Sequence, residues 1–162
     1  MKKNIKKTIK LITGSALNVL LALLMVFAAG VFLLRLAGIR PYIVMSGSME
    51  PAILTGSLCF VNTNAEFADV REGDVIAFRS AMGTLVTHRA VAVTEDGVET
   101  CGDNNRVTDG ITTTEKNYVG ETVASLPYAG YAFWLISTKA GKSVTALGAL
   151  GIFVAVVLNR RS

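Results

Sequence analysis

The sequence predicts a mainly β protein in which a compact antiparallel β domain lies between an N-terminal and a C-terminal transmembrane helix. Two apolar stretches lie near the ends of the chain, and short β-type runs separated by turn residues fill its middle. Hydrophobic residues make up 51% of the 162 residues and charged residues only 17%, which is unusual for a soluble domain. This length leaves room for one folded domain besides the two helices.

The N-terminal apolar stretch, LITGSALNVLLALLMVFAAGVFLL at residues 11–34, contains no charged residue. About 20 apolar residues suffice to cross the hydrocarbon core of a bilayer, so this stretch is predicted to be a transmembrane helix. Five lysines lie in residues 1–10, and this excess of positive charge places the N-terminus in the cytoplasm. A cleavable signal peptide is the alternative, although its apolar segment would normally have only about 7–15 residues.

The C-terminal apolar stretch, VTALGALGIFVAVVL, predicts a second transmembrane helix over residues 143–159. It is slightly shorter than the usual minimum of about 17 residues, but the long side chains of Lys142 and Arg160 can extend along it toward the headgroups. Residues 160–162 would then return to the cytoplasm. The alternative is a helix that lies on the membrane or is partly embedded in it.

The net charge of +4 could suggest a nucleic-acid partner, but the positive charge is concentrated at the two ends of the chain. The lysines before the first apolar stretch and the arginines after the second are explained by membrane topology. The middle of the chain has no basic patch interleaved with aromatic residues, so we expect a lipid bilayer as a partner and no nucleic acid.

Residues 38–142 form the predicted extracytoplasmic β domain. Short runs rich in β-branched and apolar residues alternate with turn signals such as EGD and EDG. No amphipathic helical segment separates consecutive runs, which argues against a parallel βαβ design and favours an antiparallel sheet. The predicted strands are SLCFV, DVIAF, TLVTHRAVAV, GVETC and NYVGETVA.

The single histidine of the chain, His88, lies in the predicted strand at residues 84–93. Alternation along a strand places His88 on the same face as the small apolar residues Ala90 and Ala92. Taken alone, a histidine in such a position is more often a structural residue than a catalytic one. Its interpretation therefore depends on what else the domain contains.

Two further polar segments complete a possible reactive group. The turn VMSGSMEP at residues 44–51 offers two serine hydroxyls, and CGDNNRVTDG at residues 101–110 offers aspartates. The spacing of these aspartates does not match an EF-hand calcium loop, so we expect no metal. A serine, a histidine and an aspartate supply a nucleophile, a general base and a group that orients the base.

These segments together resemble the signal peptidase I family, and in particular its endoplasmic-reticulum-type branch, which is also found in archaea and spore-forming Gram-positive bacteria. The resemblance covers five segments in the same order as in that family, and the N-terminal anchor also matches. The segments are SGSMEP at 46–51, REGDVIAF at 71–78, TLVTHRAV at 84–91, GDNN with a downstream aspartate at 102–109, and YVGETVASLPYAGY at 118–131.

The resemblance implies a role for each polar residue. Ser48 would be the nucleophile, and Ser46 would lie beside the oxyanion site together with the Ser48 amide. His88 stands where the usual bacterial members have a lysine, so it would be the general base. Asp109 would be the acid that orients His88, with Asp103 as the alternative, because VTDG departs from the sequence that family members commonly have around this aspartate.

The activity that the resemblance implies is cleavage of N-terminal signal peptides from secretory preproteins after small residues, by a membrane-bound serine endopeptidase without a cofactor. The β domain would be the catalytic domain on the outer face of the plasma membrane, or of the endoplasmic reticulum membrane in a eukaryotic cell. Accessory membrane subunits are possible partners. A non-catalytic, membrane-anchored peptide-binding or chaperone subunit on the same scaffold is the alternative function.

Two features have more than one interpretation from sequence. Cys59 and Cys101 could form a disulfide outside the cytoplasm or remain as two free thiols. The aromatic segment LPYAGYAFWLI at residues 126–136 is expected to rest on the outer leaflet, because amphipathic aromatic side chains favour the headgroup region. Packing of the same side chains into the domain core is the alternative.

Overall fold

The structure is a computed structural model that describes residues 2–161, with side chains described for residues 14–158. It contains a long N-terminal helix, six strands and two C-terminal helices, as well as a short 3-10 helix at Phe67–Asp69. The helices are α1 (Lys2–Leu36), α2 (Ala129–Ser137) and α3 (Lys139–Arg161). The strands are β1 (Ile39–Ile43), β2 (Leu58–Asn62), β3 (Val75–Arg79), β4 (Leu85–Thr94), β5 (Gly97–Cys101) and β6 (Tyr118–Leu126).

The six strands form a single sheet in the order β1-β2-β6-β3-β4-β5, and every neighbouring pair is antiparallel. The mainly β, antiparallel fold predicted from the sequence is therefore confirmed. Strands β3, β4 and β5 follow one another as hairpins, whereas β6 enters between β2 and β3 and joins the two halves of the sheet. The site described below lies along β1 and β4 and in the loops that follow β1 and β5.

Strand β1 was not among the strands predicted from the sequence. It contains Pro41, which cannot donate a hydrogen bond to a neighbouring strand and therefore weakens a strand prediction. The structure resolves this difficulty because β1 lies at the edge of the sheet and pairs only with β2. An edge position tolerates proline when the missing donor faces away from the partner strand.

The buried side chains of the domain form two clusters. The larger cluster packs strand residues around Ile76 and Phe78 of β3, with Ala90 of β4 and Val98 of β5. The smaller cluster consists of Met49, Ile53 and Cys59. The larger cluster underlies the middle of β4, and the smaller one underlies the turn that follows β1, so each supports one segment of the site.

Two of the helices are long and apolar enough to cross a membrane, over Gly14–Leu36 and Lys139–Leu158. These spans overlap the two transmembrane helices predicted from the sequence. The chain divides into two compact units: Leu34–Leu135, which holds all six strands, and a helical unit of Met1–Leu33 with Ile136–Ser162. The assignment of residues 38–142 to the extracytoplasmic side stays a prediction.

The aromatic segment at residues 126–136 is partly helical, because α2 begins at Ala129, and this short helix was not predicted. The side chains of Tyr128, Tyr131 and Trp134 are exposed, whereas Phe133 is half-buried. Core packing therefore does not explain Tyr128. The contact of this segment with the outer leaflet stays a prediction.

Both cysteines are free thiols, so the disulfide left open by the sequence is absent. Cys59 lies on β2 and Cys101 at the end of β5, and three strands separate β2 from β5 in the sheet. Neighbouring strands are about 4.8 Å apart, whereas a disulfide requires Cα atoms within about 4.4–6.8 Å of each other. The strand order alone therefore keeps the two thiols apart.

Candidate active site

The turn after β1 presents two serine hydroxyls side by side. The Oγ atoms of Ser46 and Ser48 are 3.4 Å apart, and the side chain of Met49 between Ser48 and Glu50 is only 1% exposed. Met49 directly follows Ser48, and its burial in the smaller cluster holds it in place, because a closely packed side chain cannot shift freely. The turn is closed by a hydrogen bond of 3.1 Å from the Glu50 N–H to the Gly47 carbonyl.

The carboxylate of Glu50 holds the far side of the same turn. One of its oxygens accepts hydrogen bonds from the Thr55 hydroxyl at 2.7 Å and from the Thr55 N–H at 3.1 Å. These hydrogen bonds, that of the hydroxyl first, lower the pKa of Glu50 below its ordinary value, because they favour the charged carboxylate. The turn is thus held by two adjacent residues, by Met49 packed in the core and by Glu50 through its hydrogen bonds with Thr55.

Ser48, His88 and Asp109 form one continuous chain of hydrogen bonds. The Oγ atom of Ser48 lies 2.9 Å from Nε2 of His88, and Nδ1 of His88 lies 2.7 Å from Oδ2 of Asp109. A carboxylate can only accept a hydrogen bond, so Nδ1 of a neutral His88 carries the proton and Nε2 is left as an acceptor for the Ser48 hydroxyl. The three residues come from the β1–β2 loop, from β4 and from the loop after β5.

His88 owes its orientation to the sheet as well as to its hydrogen bonds. It lies in the middle of β4 opposite Ile76 of β3, and only 7% of it is exposed. Its ring meets the ring of Phe78 edge to face, with centroids 6.3 Å apart. His88 and Ala90 are buried whereas Val91 and Val93 are exposed, which agrees with the alternation read from the sequence.

Thr100 is a fourth polar residue of the site, and sequence reasoning missed it. Its hydroxyl donates a hydrogen bond of 2.5 Å to Oδ2 of Asp109, and its carbonyl accepts one of 2.9 Å from the Asp109 N–H. Thr100 is 1% exposed and lies on β5 opposite Ala90 of β4. The sequence does contain a signal for Thr100. The EDG turn predicts that GVETC, which contains Thr100, pairs with the strand that carries His88.

Asp103 makes a different set of contacts from Asp109. Its two carboxylate oxygens accept hydrogen bonds from Nε and one terminal nitrogen of Arg89, at 2.8 and 2.6 Å, in a bidentate pair. The other terminal nitrogen of Arg89 donates to the Gly73 carbonyl at 2.7 Å. Hydrogen bonding to Asp103 raises the pKa of Arg89 above its ordinary value. The hydrogen bond to His88 is made by Asp109 and not by Asp103.

A cavity of about 440 Å³ opens beside Ser48 and His88. Apart from Ser46, Ser48, Thr87, His88 and the Tyr42 hydroxyl, the described residues that line it are apolar, and none is an Asp, Glu, Lys or Arg. Cys59 forms part of the wall, and its burial raises the pKa of its thiol to about 11, so it stays protonated at neutral pH. Representative lining residues are Ile43, Met45, Met49, Ile53, Leu85 and Val86.

The chain is similar in sequence to known proteins over most of its length. The family model for "Signal peptidase, peptidase S26" matches residues 16–133 of the chain. The chain is 34% identical over 119 residues to "Signal peptidase I W" of Bacillus subtilis, a match that covers 67% of this chain and 63% of that relative. The match therefore spans less than two thirds of the length of this bacterial relative.

Eukaryotic relatives match over a similar length. The chain is 30% identical over 130 residues to "Signal peptidase complex catalytic subunit SEC11" of Colletotrichum graminicola, with 73% of this chain and 74% of the relative covered. It is 32% identical over 133 residues to "Signal peptidase complex catalytic subunit SEC11C" of Canis lupus familiaris, with 74% and 68% covered. The family match extends over more than half of the chain and contains Ser48, His88 and Asp109, so the chain belongs to the signal peptidase family, peptidase S26.

Proposed function

We propose that the chain is a membrane-bound serine endopeptidase that removes N-terminal signal peptides from exported preproteins by cleaving after small residues. The observation that carries this proposal is the chain of hydrogen bonds from Ser48 through His88 to Asp109. A serine hydroxyl is a weak nucleophile until a base accepts its proton, and the base must itself be held in the correct tautomer. Ser48 would be the nucleophile, His88 the base that accepts its proton, and Asp109 the group that holds the tautomer of His88.

The first half of the reaction is acylation of Ser48. Its Oγ attacks the carbonyl carbon of the scissile bond while Nε2 of His88 accepts the hydroxyl proton, and Asp109 stabilises the imidazolium that forms. The tetrahedral intermediate then collapses, the C–N bond breaks, and His88 gives its proton to the amine of the mature protein. The signal peptide is left as an ester on Ser48.

The second half is hydrolysis of that ester. Water attacks the ester carbonyl while Nε2 of His88 accepts one of its protons, and the C–O bond to Ser48 breaks as His88 returns the proton to Oγ. The signal peptide leaves with a free carboxylate and the enzyme is restored. No cofactor takes part in either half of the reaction.

The negative oxygen that forms in each half needs hydrogen-bond donors. The Ser48 N–H and the Ser46 hydroxyl are the two groups proposed for this role. The Oγ atom of Ser46 lies 3.4 Å from the Oγ atom of Ser48. Removing one donor from such a site typically slows an enzyme by about 10²–10³-fold. Ser46 therefore contributes to the rate without taking part in covalent chemistry.

The lining of the cavity beside Ser48 supports one part of the proposed specificity, the exclusion of charged residues before the cleaved bond. Its lining is mostly apolar and carries no carboxylate or cationic side chain of Asp, Glu, Lys or Arg among the described residues. An alanine side chain can enter such a space at little desolvation cost, whereas a charged side chain would lose its hydration without a partner. We expect charged residues immediately before the cleaved bond to prevent processing.

The proposed setting is a membrane, with the domain on its outer face. Two helices long enough to span a bilayer and the lysines that precede the first of them support this topology. The substrates would be secretory preproteins whose signal peptides enter the same bilayer. The plasma membrane is the proposed location, or the endoplasmic reticulum membrane in a eukaryotic cell, and accessory membrane subunits are possible partners.

The test is processing of a preprotein by the full chain reconstituted in lipid vesicles. We expect one cut, mapped by mass spectrometry to the peptide bond after an alanine, and loss of this cut when that alanine is replaced by aspartate. A non-catalytic binding subunit would instead bind the preprotein and leave it intact. Intact preprotein after prolonged incubation, or cleavage that ignores the alanine-to-aspartate change, would contradict the proposal.

A further inference from the structure

The loop after β5 makes direct contact with the peptide groups on both sides of Ser48. The side-chain amide nitrogen of Asn104 lies 3.3 Å from the Gly47 carbonyl oxygen, to which it donates a hydrogen bond. The backbone N–H of Asn104 donates to the Ser48 carbonyl at 2.8 Å. A single residue thus holds the carbonyl before the proposed nucleophile and the carbonyl after it.

The contact with Gly47 has a consequence for the Ser48 N–H, because both belong to one peptide group. A trans peptide is planar, with its C=O and N–H pointing in opposite directions. A donor that fixes the direction of the Gly47 carbonyl therefore also fixes the direction of the Ser48 N–H. Among the hydrogen bonds of the described residues, none uses this N–H as a donor, so it is available to an oxyanion.

Hydrogen bonding to Gly47 also strengthens the Ser48 N–H as a donor. When an amide oxygen accepts a hydrogen bond, the amide is polarised and its N–H becomes more positive, an effect of about 10–30% per bond. The Gly47 carbonyl accepts two such bonds, from Asn104 and from the Glu50 N–H. The Glu50 bond closes the turn itself, whereas the Asn104 bond comes from a separate loop.

The loop that carries Asn104 is itself held firmly. Asp103, the preceding residue, is clamped by the bidentate pair with Arg89 of β4, the neighbour of His88 in sequence. Gly102 lies so close to the turn that a Cβ atom at this position would be 2.5 Å from the Ser48 carbonyl oxygen. The loop that carries Asn104 is therefore anchored to β4, the strand that also carries His88.

We propose that Asn104 is a positioning residue for the oxyanion site, which aligns and polarises the Ser48 N–H through the Gly47 carbonyl. This inference rests on the proposed function and deepens it. Asn104 touches neither the substrate nor the reacting atoms, so its loss should weaken binding of the transition state and leave binding of the substrate unchanged. A residue needed only for folding would not separate these two effects.

The experiment compares Asn104→Ala with Asn105→Ala in the reconstituted full chain. Asn105 is the next residue of the same loop, and no hydrogen bond of its side chain to the Ser48 turn is present among the described residues. We expect Asn104→Ala to lower kcat for preprotein cleavage by about 10–100-fold, the usual effect of removing a group that orients an active-site residue, with KM changed by less than about threefold. Asn105→Ala should retain wild-type kcat.

Binding of a peptide boronate provides the second readout. A boronate forms a tetrahedral adduct with the serine that mimics the oxyanion, so its affinity should fall in parallel with kcat in Asn104→Ala. Affinity for the released signal peptide should not change. Asn104→Asp keeps the size of the side chain but loses the donor, so it should show the same pattern and provides a folded variant if Asn104→Ala is unstable.

The outcomes separate this inference from the proposed function. Wild-type kcat in both Asn104 variants, or an increase in KM without a fall in kcat, would overturn the positioning role while wild-type cleavage still stands. Equal loss in Asn104→Ala and Asn105→Ala would reduce the effect to loop stability and would also overturn it. Absence of cleavage by the wild-type chain would instead refute the proposed function itself.

Discussion

Asp109 and Asp103 lie in the same loop region but make different contacts. Asp109 accepts hydrogen bonds from His88 and Thr100, whereas Asp103 forms a bidentate pair with Arg89. The sequence left the orienting acid open between these two aspartates, because Asp103 lies within the GDNN segment and the VTDG sequence around Asp109 departs from the one that family members commonly have. Side-chain direction in an irregular loop has no periodic pattern, so only the three-dimensional structure separates them.

Asp109→Asn and Asp103→Asn should therefore have unequal effects on activity. In Asp109→Asn the amide can donate to Nδ1, which favours the wrong tautomer of His88, and we expect kcat to fall by about three to four orders of magnitude. Asp103→Asn should lower kcat by about tenfold or less, through a looser loop. The measurement is kcat of both variants on one preprotein, and equal losses would argue against Asp109 as the orienting acid.

The Glu50–Thr55 contact should make the stability of the turn depend on pH. The pKa of Glu50 is lowered in the folded protein, so its contribution to stability is present above its ordinary value of 4.5 and is lost as the pH falls through the lowered pKa. Thr55→Val removes the hydroxyl donor and should lower the thermal midpoint at pH 7. This difference from wild type should shrink at pH 3.

A double-mutant cycle checks that Glu50 is responsible for this pH dependence. In a Glu50→Gln background the effect of Thr55→Val on the thermal midpoint should be similar at pH 7 and pH 3, because no carboxylate remains to titrate. A pH-dependent effect of Thr55→Val that persists in Glu50→Gln would point to another titrating group.

At the level of elements, the sequence located most of the sheet. The five predicted strands correspond to β2 through β6, because each has β-branched or apolar residues between clear turn signals. Strand β1 contains Pro41, and its pairing with β2 becomes visible only when the long-range partner is known. The strand order, with β6 between β2 and β3, likewise depends on contacts distant in sequence that no local pattern encodes.

Gly120 is the residue at which β6 depends most on the absence of a side chain. A Cβ atom at this position would lie only 2.2 Å from the Asn62 carbonyl oxygen of β2, and the register of β6 with β3 shifts beside it. Such a clash with backbone cannot be relieved by a side-chain rotation. We expect Gly120→Ala to lower the free energy of unfolding by about 2–4 kcal/mol.

Gly83 provides a matched control for this substitution. It lies in the β3–β4 hairpin with a φ of +76°, and a Cβ atom there would meet no heavy atom within 4 Å. Gly83→Ala should therefore cost only the backbone strain of a positive φ, about 1–2 kcal/mol. Denaturant unfolding of both variants gives the comparison, and a smaller loss in Gly120→Ala than in Gly83→Ala would contradict the tight approach of β6 to β2.

For the whole molecule, the sheet determines which groups can meet. It brings together Ser48, His88 and Asp109 from three separate segments, while it keeps Cys59 and Cys101 apart on β2 and β5. Residue types and family resemblance gave the candidate site residues, but the partnership of Thr100 and the separation of the thiols follow from strand order. The family was therefore easier to predict from this sequence than the contacts within the site.

The two thiols should differ in reactivity in the folded chain. Cys59 is fully buried and its thiol pKa is raised to about 11, so it should resist alkylation at pH 7. Cys101 is partly exposed and should react first. Mass spectrometry of peptides from protein alkylated in its folded state should show the adduct on Cys101 before any on Cys59, and equal labelling of the two cysteines would contradict the burial of Cys59.

The central claim is that Ser48 is the nucleophile of a peptidase, and one comparison tests it most directly. Cleavage of a preprotein with an alanine before the cut site is measured in lipid vesicles for wild type, Ser48→Ala and Ser125→Ala, where Ser125 is an exposed serine of β6. We predict that wild type and Ser125→Ala cleave at equal rates, while Ser48→Ala is slower by about 10⁴-fold or more but melts at a similar temperature. Cleavage by Ser48→Ala at a rate near that of wild type would contradict the account.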